Sequence, residues 1–277
     1  MARAAIILLL LALTGCMRSQ PVAEDDLPHP TIVSLNPCSD AVLAEVTHPG
    51  QLLAISHFSQ SAASSSMDLA KAARFRAVSG SAEEVLALDP DVVVADPFLA
   101  PATRAALERS GIKVTSLPIA RTVEESRSQV LALARLAGDE NAGVWLNAHV
   151  DAALARAAAP RINAPIPAVV WQAGGIVPGR DTLIADLLAR TGFTLSSAAQ
   201  GMGQADHLPL EALLAAPPKV LFVAGERQAR ENAALAHPAL DRLAGTRTAQ
   251  LDPSLLWCGG PTIIRAAQRL SQVRKSL

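Results

Sequence analysis

DENAGVWLNAHVDAALARAA, residues 139 to 158, is the stretch whose reading decides the fold. It follows Gly138, a residue suited to closing the preceding helix, and Asp139 is placed to cap its first free amides. Leu146, Val150, Ala153 and Leu154 fall at i, i+4, i+7 and i+8, which puts all of them on one helix face and leaves a stripe to bury. Nothing inside the stretch breaks a helix, and about twenty residues at ~1.5 Å each make a rod of roughly 30 Å, long enough to span a small domain. Pro160, Asn163, Ala164, Pro165 and Pro167 then end it. Taken alone this is an ordinary surface helix. It becomes a bridge because a similar α/β pattern stands on each side of it.

On the N-terminal side, Thr31 to Leu35 (TIVSL) reads as a strand, Asn36 to Asp40 (NPCSD) as the loop that breaks it, and AVLAEV as the start of a helix. Gln51 to Ser56 is a second strand, ending in His57, Phe58, Ser59 and a serine-rich loop. Ser81 with Glu84 forms a capping box at the head of SAEEVLAL. Asp91 to Ala95 (DVVVA) is a continuous apolar run, the pattern of a strand covered by helices on both faces. A helix over 101–110 stopped by Gly111, a strand over 112–117, and a helix from Thr122 to Ala137 with a second capping box at Glu125 complete this half. After the bridge the rhythm restarts. Strands are expected at 168–172, 219–224 and 246–251, helices at 182–190, 210–216 and 232–243, a loop at AGGIVPGR (173–180), and a final helix over 262–275 after Pro261. Alternation of this kind predicts mostly parallel sheets. The fold class is α/β: two Rossmann-like lobes, 31–138 and 161–277, joined by one long helix over 139–160.

A chain of 277 residues, 50% hydrophobic, has ample core material. Its net charge of −1, without lysine and arginine clusters or interleaved aromatics, excludes nucleic acid as a partner. The first residues are the most specific signal. Arg3 precedes the apolar run Ala4 to Leu13, too short to span a bilayer but the right length for a signal-peptide core. Leu13, Thr14, Gly15 and Cys16 follow in the manner of a bacterial lipobox, whose cysteine thiol takes the lipid. Residues 1–16 are thus read as a lipoprotein signal peptide, and 17–30, polar and proline-bearing, as a tether. The expected product is exported and anchored at the periplasmic face of a membrane through Cys16. Only Cys38 and Cys258 remain. Exported thiols can pair, and their spacing excludes a compact CxxC site, but sequence alone does not bring their Cα atoms into bridging range.

Two lobes create a cleft, and loops at the carboxyl ends of parallel strands should line it. Those loops supply Asn36, Pro37, Cys38, Ser39, His57, Phe58 and Asp96 from the first lobe, and Trp171, Gln172, Arg180, Trp257, Cys258 and Gly259 from the second. The set is rich in aromatics and poor in charge, which suits a large apolar or conjugated ligand. Plainer roles stand beside these: Asn36 to Asp40 as a helix cap, His57 as a solvated loop histidine, Trp145 as core. Trp257 is the strongest cleft candidate, because the glycines after it let a backbone approach a ligand closely. No G-x-S-x-G elbow, P-loop, HExxH or carboxylate cluster points to catalysis or to a metal site.

TIVSLNPCSDAVLAEV, SAEEVLALDPDVVVA, the bridging stretch, VPGRDTLIADLLARTG, LPLEALLAAPPKVLFVAG and GGPTIIRAAQRL together resemble the substrate-binding proteins of ABC importers for ferric siderophores, haem and cobalamin. The resemblance runs in consistent order from about Thr31 to the C-terminus. It implies two Rossmann-like lobes with limited hinge motion, a monomer without a resident cofactor, and a ferric siderophore or cobalamin-type corrinoid in the cleft, with haem as the alternative. It also implies that Glu83 and Glu211 dock on arginines of the permease. The chain contains no tyrosine, so tyrosine-ligated haem is excluded and a histidine-ligated mode through His57 stays open. Under the same resemblance Cys38 and Cys258 both face the cleft, either as a disulfide across its mouth or as thiols touching a metal-centred ligand. A metal-dependent bilobal enzyme would need clustered cysteines that the chain lacks; a docking lipoprotein with an empty cleft is the other alternative.

Overall fold

The computed structural model describes residues 29–160, 164–203, 205–225, 237–240 and 243–277. The signal peptide expected over 1–16 with Cys16, nearly all of the tether expected over 17–30 and most of the helix expected over 232–243 lie outside the described residues.

The first half runs β1 (Ile32–Ser34), α1 (Pro37–Val46), β2 (Leu52–Ser56), α2 (Leu69–Ala72), β3 (Ala77–Val78), α3 (Ala82–Leu86), β4 (Val92–Ala95), α4 (Pro101–Arg109), β5 (Lys113–Ser116) and α5 (Val123–Ala137). The bridge is α6 (Glu140–Ala157). The second half runs β6 (Ile166–Gln172), β7 (Ile176–Val177), α7 (Leu183–Arg190), β8 (Phe193–Leu195), α8 (Ser196–Ala199), β9 (Asp206–His207), α9 (Leu210–Ala215), β10 (Val220–Ala224), β11 (Arg247–Leu251) and α10 (Pro261–Lys275). Both long sheets are parallel throughout, with strand orders β3-β2-β1-β4-β5 and β11-β10-β6-β8.

The two uninterrupted apolar runs lie inside these sheets because each sheet is covered on both faces. In β4, Val92 and Val94 enter one core cluster while Val93 enters another. In β10, Val220, Phe222 and Ala224 face one side, and Leu221 and Val223 the other. Side chains of successive strand residues point to opposite faces, so a strand with both faces covered has no polar position to spare.

The bridging helix is shared between the lobes. Asp139 caps it by accepting the amide of Ala142 at 2.9 Å, and it runs 18 residues. Leu146, with Ala142, packs in the core of the first lobe; Val150, Leu154 and Ala157 pack in that of the second. One apolar stripe therefore belongs to two cores, and each fully buried Val or Leu contributes about 1.5–3 kcal/mol. The same division holds in α5: Val123 is buried with the second lobe, and Val130, Leu133 and Ala137 with the first. Trp145 departs from expectation. It is 60% exposed on the outer face of α6, its ring tilted against that of His149 at 3.8 Å between centroids. At 3.6 residues per turn it lies about 100° round the helix from Leu146 and about 140° from Val150, off the buried stripe.

A second joint between the lobes is covalent. Cys38 and Cys258 form a disulfide with their Cα atoms 4.9 Å apart, across a sequence separation of 220. Beside it Gly260 donates its amide to Ser126 Oγ at 2.8 Å. Gly260 has φ 58, and a Cβ there would stand 2.7 Å from Val42; one on Gly259 would stand 2.2 Å from Ser126 Oγ. Thr262 Oγ1 and Arg265 then donate to the carbonyl of Ser66 at 2.9 and 2.5 Å. The disulfide is thus part of a packed joint between the lobes, and Gly259, expected against a ligand, lies against Ser126 of α5.

Asp40, read in the sequence as loop or cap, is fully buried. Its Oδ2 accepts the amide of Ser56 at 3.0 Å and the hydroxyl of Ser59 at 2.6 Å, which ties α1 to the end of β2. Its Oδ1 has no protein partner. Burial away from water pushes the carboxyl up to about 8, against the pull of the Ser34, Ser59 and Ser56 hydrogen bonds.

Two predictions follow from these interior features. For Asp40 the native state binds the extra proton, so stability is fully present below the ordinary carboxylate value of 3.8 and declines as pH rises towards about 8. Each pH unit in that window removes up to about 1.4 kcal/mol. Asp40→Asn keeps both acceptor contacts without the titration, so its melting temperature should match the parent at acid pH and exceed it at pH above about 8; equal melting temperatures at alkaline pH contradict the assignment. Replacing both Cys38 and Cys258 by Ala should lower the unfolding free energy by about 2–4 kcal/mol in denaturant titrations, and an unchanged value would mean that the bond does not restrain the unfolded chain.

Candidate functional site

Because all strands of each sheet run parallel, each lobe has one carboxyl edge. In the first lobe the chain leaves β1 and β4 in opposite directions, so the loops after them flank a switch point, the usual crevice of an open α/β sheet. In the second lobe β6 and β10 play that part. The disulfide brings these edges together, since Cys38 opens α1 after β1 and Cys258 lies in the loop after β11.

Local chemistry shapes the first edge. Asn36 caps α1 by accepting the Cys38 amide at 2.7 Å, with Pro37 in the first turn. Ser39 is buried, donating to Asn36 O at 3.0 Å and bonded to Ser34 Oγ at 2.7 Å, so it braces the loop and presents nothing to a ligand. After β2 the chain makes a 3-10 turn over His57–Gln60. Ser56 Oγ accepts the Phe58 amide at 3.3 Å and Ser64 Oγ donates to the Phe58 carbonyl at 2.8 Å, which hold Phe58 outward. His57 is exposed, and its ring lies 4.1 Å from that of Phe58. Its Nδ1 is 3.2 Å from the Val78 carbonyl. A carbonyl only accepts, so Nδ1 carries the proton and, in the neutral ring, Nε2 keeps its lone pair.

Asp96 is half-buried, and its carboxylate accepts the Phe98 amide at 2.6 Å. That turn projects Phe98, 81% exposed, beyond the carboxyl end of β4. Sequence reading passed over Phe98, although an Asp-Pro-Phe step after a buried strand is a turn signal with an aromatic at its tip.

On the second edge Trp171 must be moved inward. It is buried in the core, and its Nε1 donates to the Leu208 carbonyl at 3.1 Å. The cause is a ribbon the sequence did not disclose: β7 and β9 pair antiparallel, Ile176 with His207, and close over the end of β6. Gly175, at φ 76, makes this possible, since a Cβ there would stand 3.0 Å from both His207 Nε2 and the Leu208 carbonyl. Ile176 and His207, exposed on the ribbon, occupy the rim in place of Trp171. Gln172 ends β6 half-buried. Trp257 stands half-exposed between buried Leu256 and buried Cys258, whose disulfide reaches Cys38 at the first-lobe edge.

Arg180 is exposed in a groove of about 770 Å³ that both lobes line, with Asp181 beside it and Arg121 and Glu125 opposite. Arg121 is already paired with Glu125 at 3.0 Å, so the groove carries mixed charge. Asn36, His57, Phe58 and Trp257 do not line it. Glu83 and Glu211 are exposed in the first turns of α3 and α9, one on each lobe. Among the described residues, no cluster of three or more His, Cys, Asp or Glu could hold a metal ion, and no helix is long and apolar enough to cross a membrane.

The site as built can grip and orient. Exposed aromatics stand on both edges, and one histidine offers a ring nitrogen outward. Against known proteins, the profile of the periplasmic binding protein family matches residues 32–251. Among solved structures, the periplasmic heme-binding protein RhuT from Roseiflexus sp. RS-1 is 21% identical with a TM-score of 0.69, over 90% of this chain and 98% of that one. The periplasmic heme-binding protein HutB of Vibrio cholerae is 19% identical with a TM-score of 0.74, over 89% and 99%. The periplasmic vitamin B12-binding protein BtuF of Vibrio cholerae is 17% identical with a TM-score of 0.67, over 90% and 98%. No curated protein sequence matched. A profile match over most of the chain, on a bilobal parallel α/β frame, makes this chain a member of the periplasmic binding protein family, which are substrate-binding transport proteins and not enzymes.

Proposed function

We propose that the protein captures a flat metal-centred macrocycle, a haem or a cobalamin-type corrinoid, between its lobes and delivers it to an ABC permease. The observation that carries this reading is the His57 imidazole: its Nδ1 is held by the Val78 carbonyl, and its Nε2 is left free beside the Phe58 ring. A metal-ligating histidine characteristically has its second nitrogen bonded in this way, which fixes the tautomer and aims the first. With no tyrosine in the chain, His57 is the first-lobe residue suited to an axial position. Phe58, Phe98 and Trp257 supply the apolar faces a conjugated ring system needs. A ferric siderophore, whose own oxygens saturate the iron, uses the aromatic walls but not the imidazole; it is the second reading and is separated by the same experiment. The names of the structural relatives, heme- and vitamin B12-binding, agree with the ligand class without choosing within it.

Delivery is read through Glu83 and Glu211. Carboxylates on separate lobes meeting arginines of the membrane subunits would fix orientation as well as affinity. Lipidation at Cys16 would hold the protein at the periplasmic face of the membrane, near its permease.

Titration with ferric protoporphyrin IX and with aquocobalamin, followed by absorbance, tests the ligand. One of them should bind with a spectrum of histidine ligation, and His57→Ala should lose that signature and weaken binding by about tenfold to hundredfold. Trp257→Ala should weaken binding by about 2 kcal/mol with the ligation spectrum intact. Binding of either macrocycle with a spectrum and affinity indifferent to His57→Ala removes the imidazole from the site, and binding of ferric siderophores alone establishes the second reading. For docking, Glu83→Arg with Glu211→Arg should abolish stimulation of the permease ATPase while leaving ligand affinity unchanged; full stimulation would show that the carboxylates play no part.

A further inference from the structure

We propose that the Cys38–Cys258 disulfide is a redox latch on the cleft: oxidised, it holds Trp257 against the first lobe, and reduction by an exported dithiol frees Trp257 and weakens capture. The proposal rests on the reading of Trp257 as a ligand contact.

The contacts around the bond show what it controls. Trp257 is the residue before Cys258, and its side chain is half-exposed although both neighbours, Leu256 and Cys258, are buried. Leu255 and Leu256 are anchored in the core of the second lobe. Across the interface, α10 is tied to the first lobe without help from the disulfide, by Gly260 to Ser126 and by Thr262 and Arg265 to Ser66. Breaking the S–S bond therefore leaves the lobes joined. What it releases is the short span between Leu256 and Gly260, which contains Trp257 and ends in the Gly259–Gly260 pair. No other ordered side-chain hydrogen bond of that span is present among the described residues apart from the one at Gly260.

The two sulfurs differ in access. Cys258 is 3% exposed, whereas Cys38 is only partly buried at the head of α1. A dithiol reductant reaches Cys38: its thiolate attacks the Cys38 sulfur, Cys258 leaves as a thiolate and takes a proton, and a mixed disulfide joins the reductant to Cys38. The second thiol of the reductant then attacks its own mixed-disulfide sulfur and expels Cys38, which takes the second proton. The protein disulfide gains two electrons and two protons and becomes two thiols; the reductant becomes a disulfide. A thiol oxidase reverses the step.

The test uses Trp145→Phe, which removes the exposed tryptophan of α6 and leaves Trp257 the exposed one among the described tryptophans, Trp171 being buried. The protein is reduced with dithiothreitol, freed of it under argon, and compared with the oxidised form for acrylamide quenching and for affinity towards ferric protoporphyrin IX and aquocobalamin. Reduction should increase quenching and weaken binding about tenfold, as a loop populating its binding geometry one-tenth of the time requires. Cys38→Ala with Cys258→Ala should behave as the reduced form whether or not dithiol has been added. Identical quenching and identical affinity before and after reduction overturn the proposal, as does a rise in quenching with no change in affinity. If neither macrocycle binds in either state, the ligand reading fails, and the latch is then judged on quenching alone: a rise supports it and no change rejects it.

Discussion

The apolar stripe of α6 is the constraint on which the rest of the molecule depends. Leu146 is committed to one core, and Val150 and Leu154 to the other, along a rod that cannot bend without unpacking one of them. The lobes are thereby set at a fixed separation by the interior itself. α5 repeats the arrangement, with Val123 in the second core and Val130 in the first, so a helical pair and not a lone helix carries the load. Interlobe polar contacts, Val123 N to Asp186 at 2.8 Å and Arg190 to Glu124 at 2.7 Å, add register more than energy, the ion pair being solvent-exposed.

Function follows from what this separation leaves open. Parallel strands force every variable loop of a lobe to one edge, and the two joints turn those edges towards each other. The edge loops are short, well-braced turns: Asn36 and Ser39 brace one loop, Asp40 and Ser56 the next, Asp96 the third. The result is a rim whose aromatic side chains are exposed while their backbones are held, which under the proposed reading would limit the ordering cost of binding a rigid ring. Fully buried Asp40 accepts from Ser56 and Ser59 under the His57 turn and so braces that geometry, while its burial pushes the carboxyl up to about 8.

Much of the fold was legible because its signals are local. The stripe of α6, the runs DVVVA and KVLFVA, and the caps at Ser81, Thr122 and Asp139 are all read within a few residues. Even there the carboxylates of Glu84 and Glu125 reach past their own caps, to Ser79 and Arg121, which a motif does not disclose. Of the site, the loops after the strands were legible and individual side chains were less so. Trp171 and Trp257 look alike in sequence, each ending an apolar run; the pairing of β7 with β9, Ile176 with His207 and Val177 with Asp206, closes over the first and not the second. Gly259 looked like a ligand contact because glycine permits close approach, and it does approach closely, but to Ser126. Phe98, Ile176 and His207 were missed because their exposure depends on turns and long-range pairing.

The most direct test of the account is the distance between the two rims in solution, measured by pulsed electron resonance between labels placed, by chemistry that spares the cysteines, at Gln60 on the first lobe and Gly174 on the second. The account predicts a single narrow distribution that moves by less than about 2 Å when a bound macrocycle is added. A broad distribution in the free protein, or lobes that close by much more than that on the ligand, would contradict it.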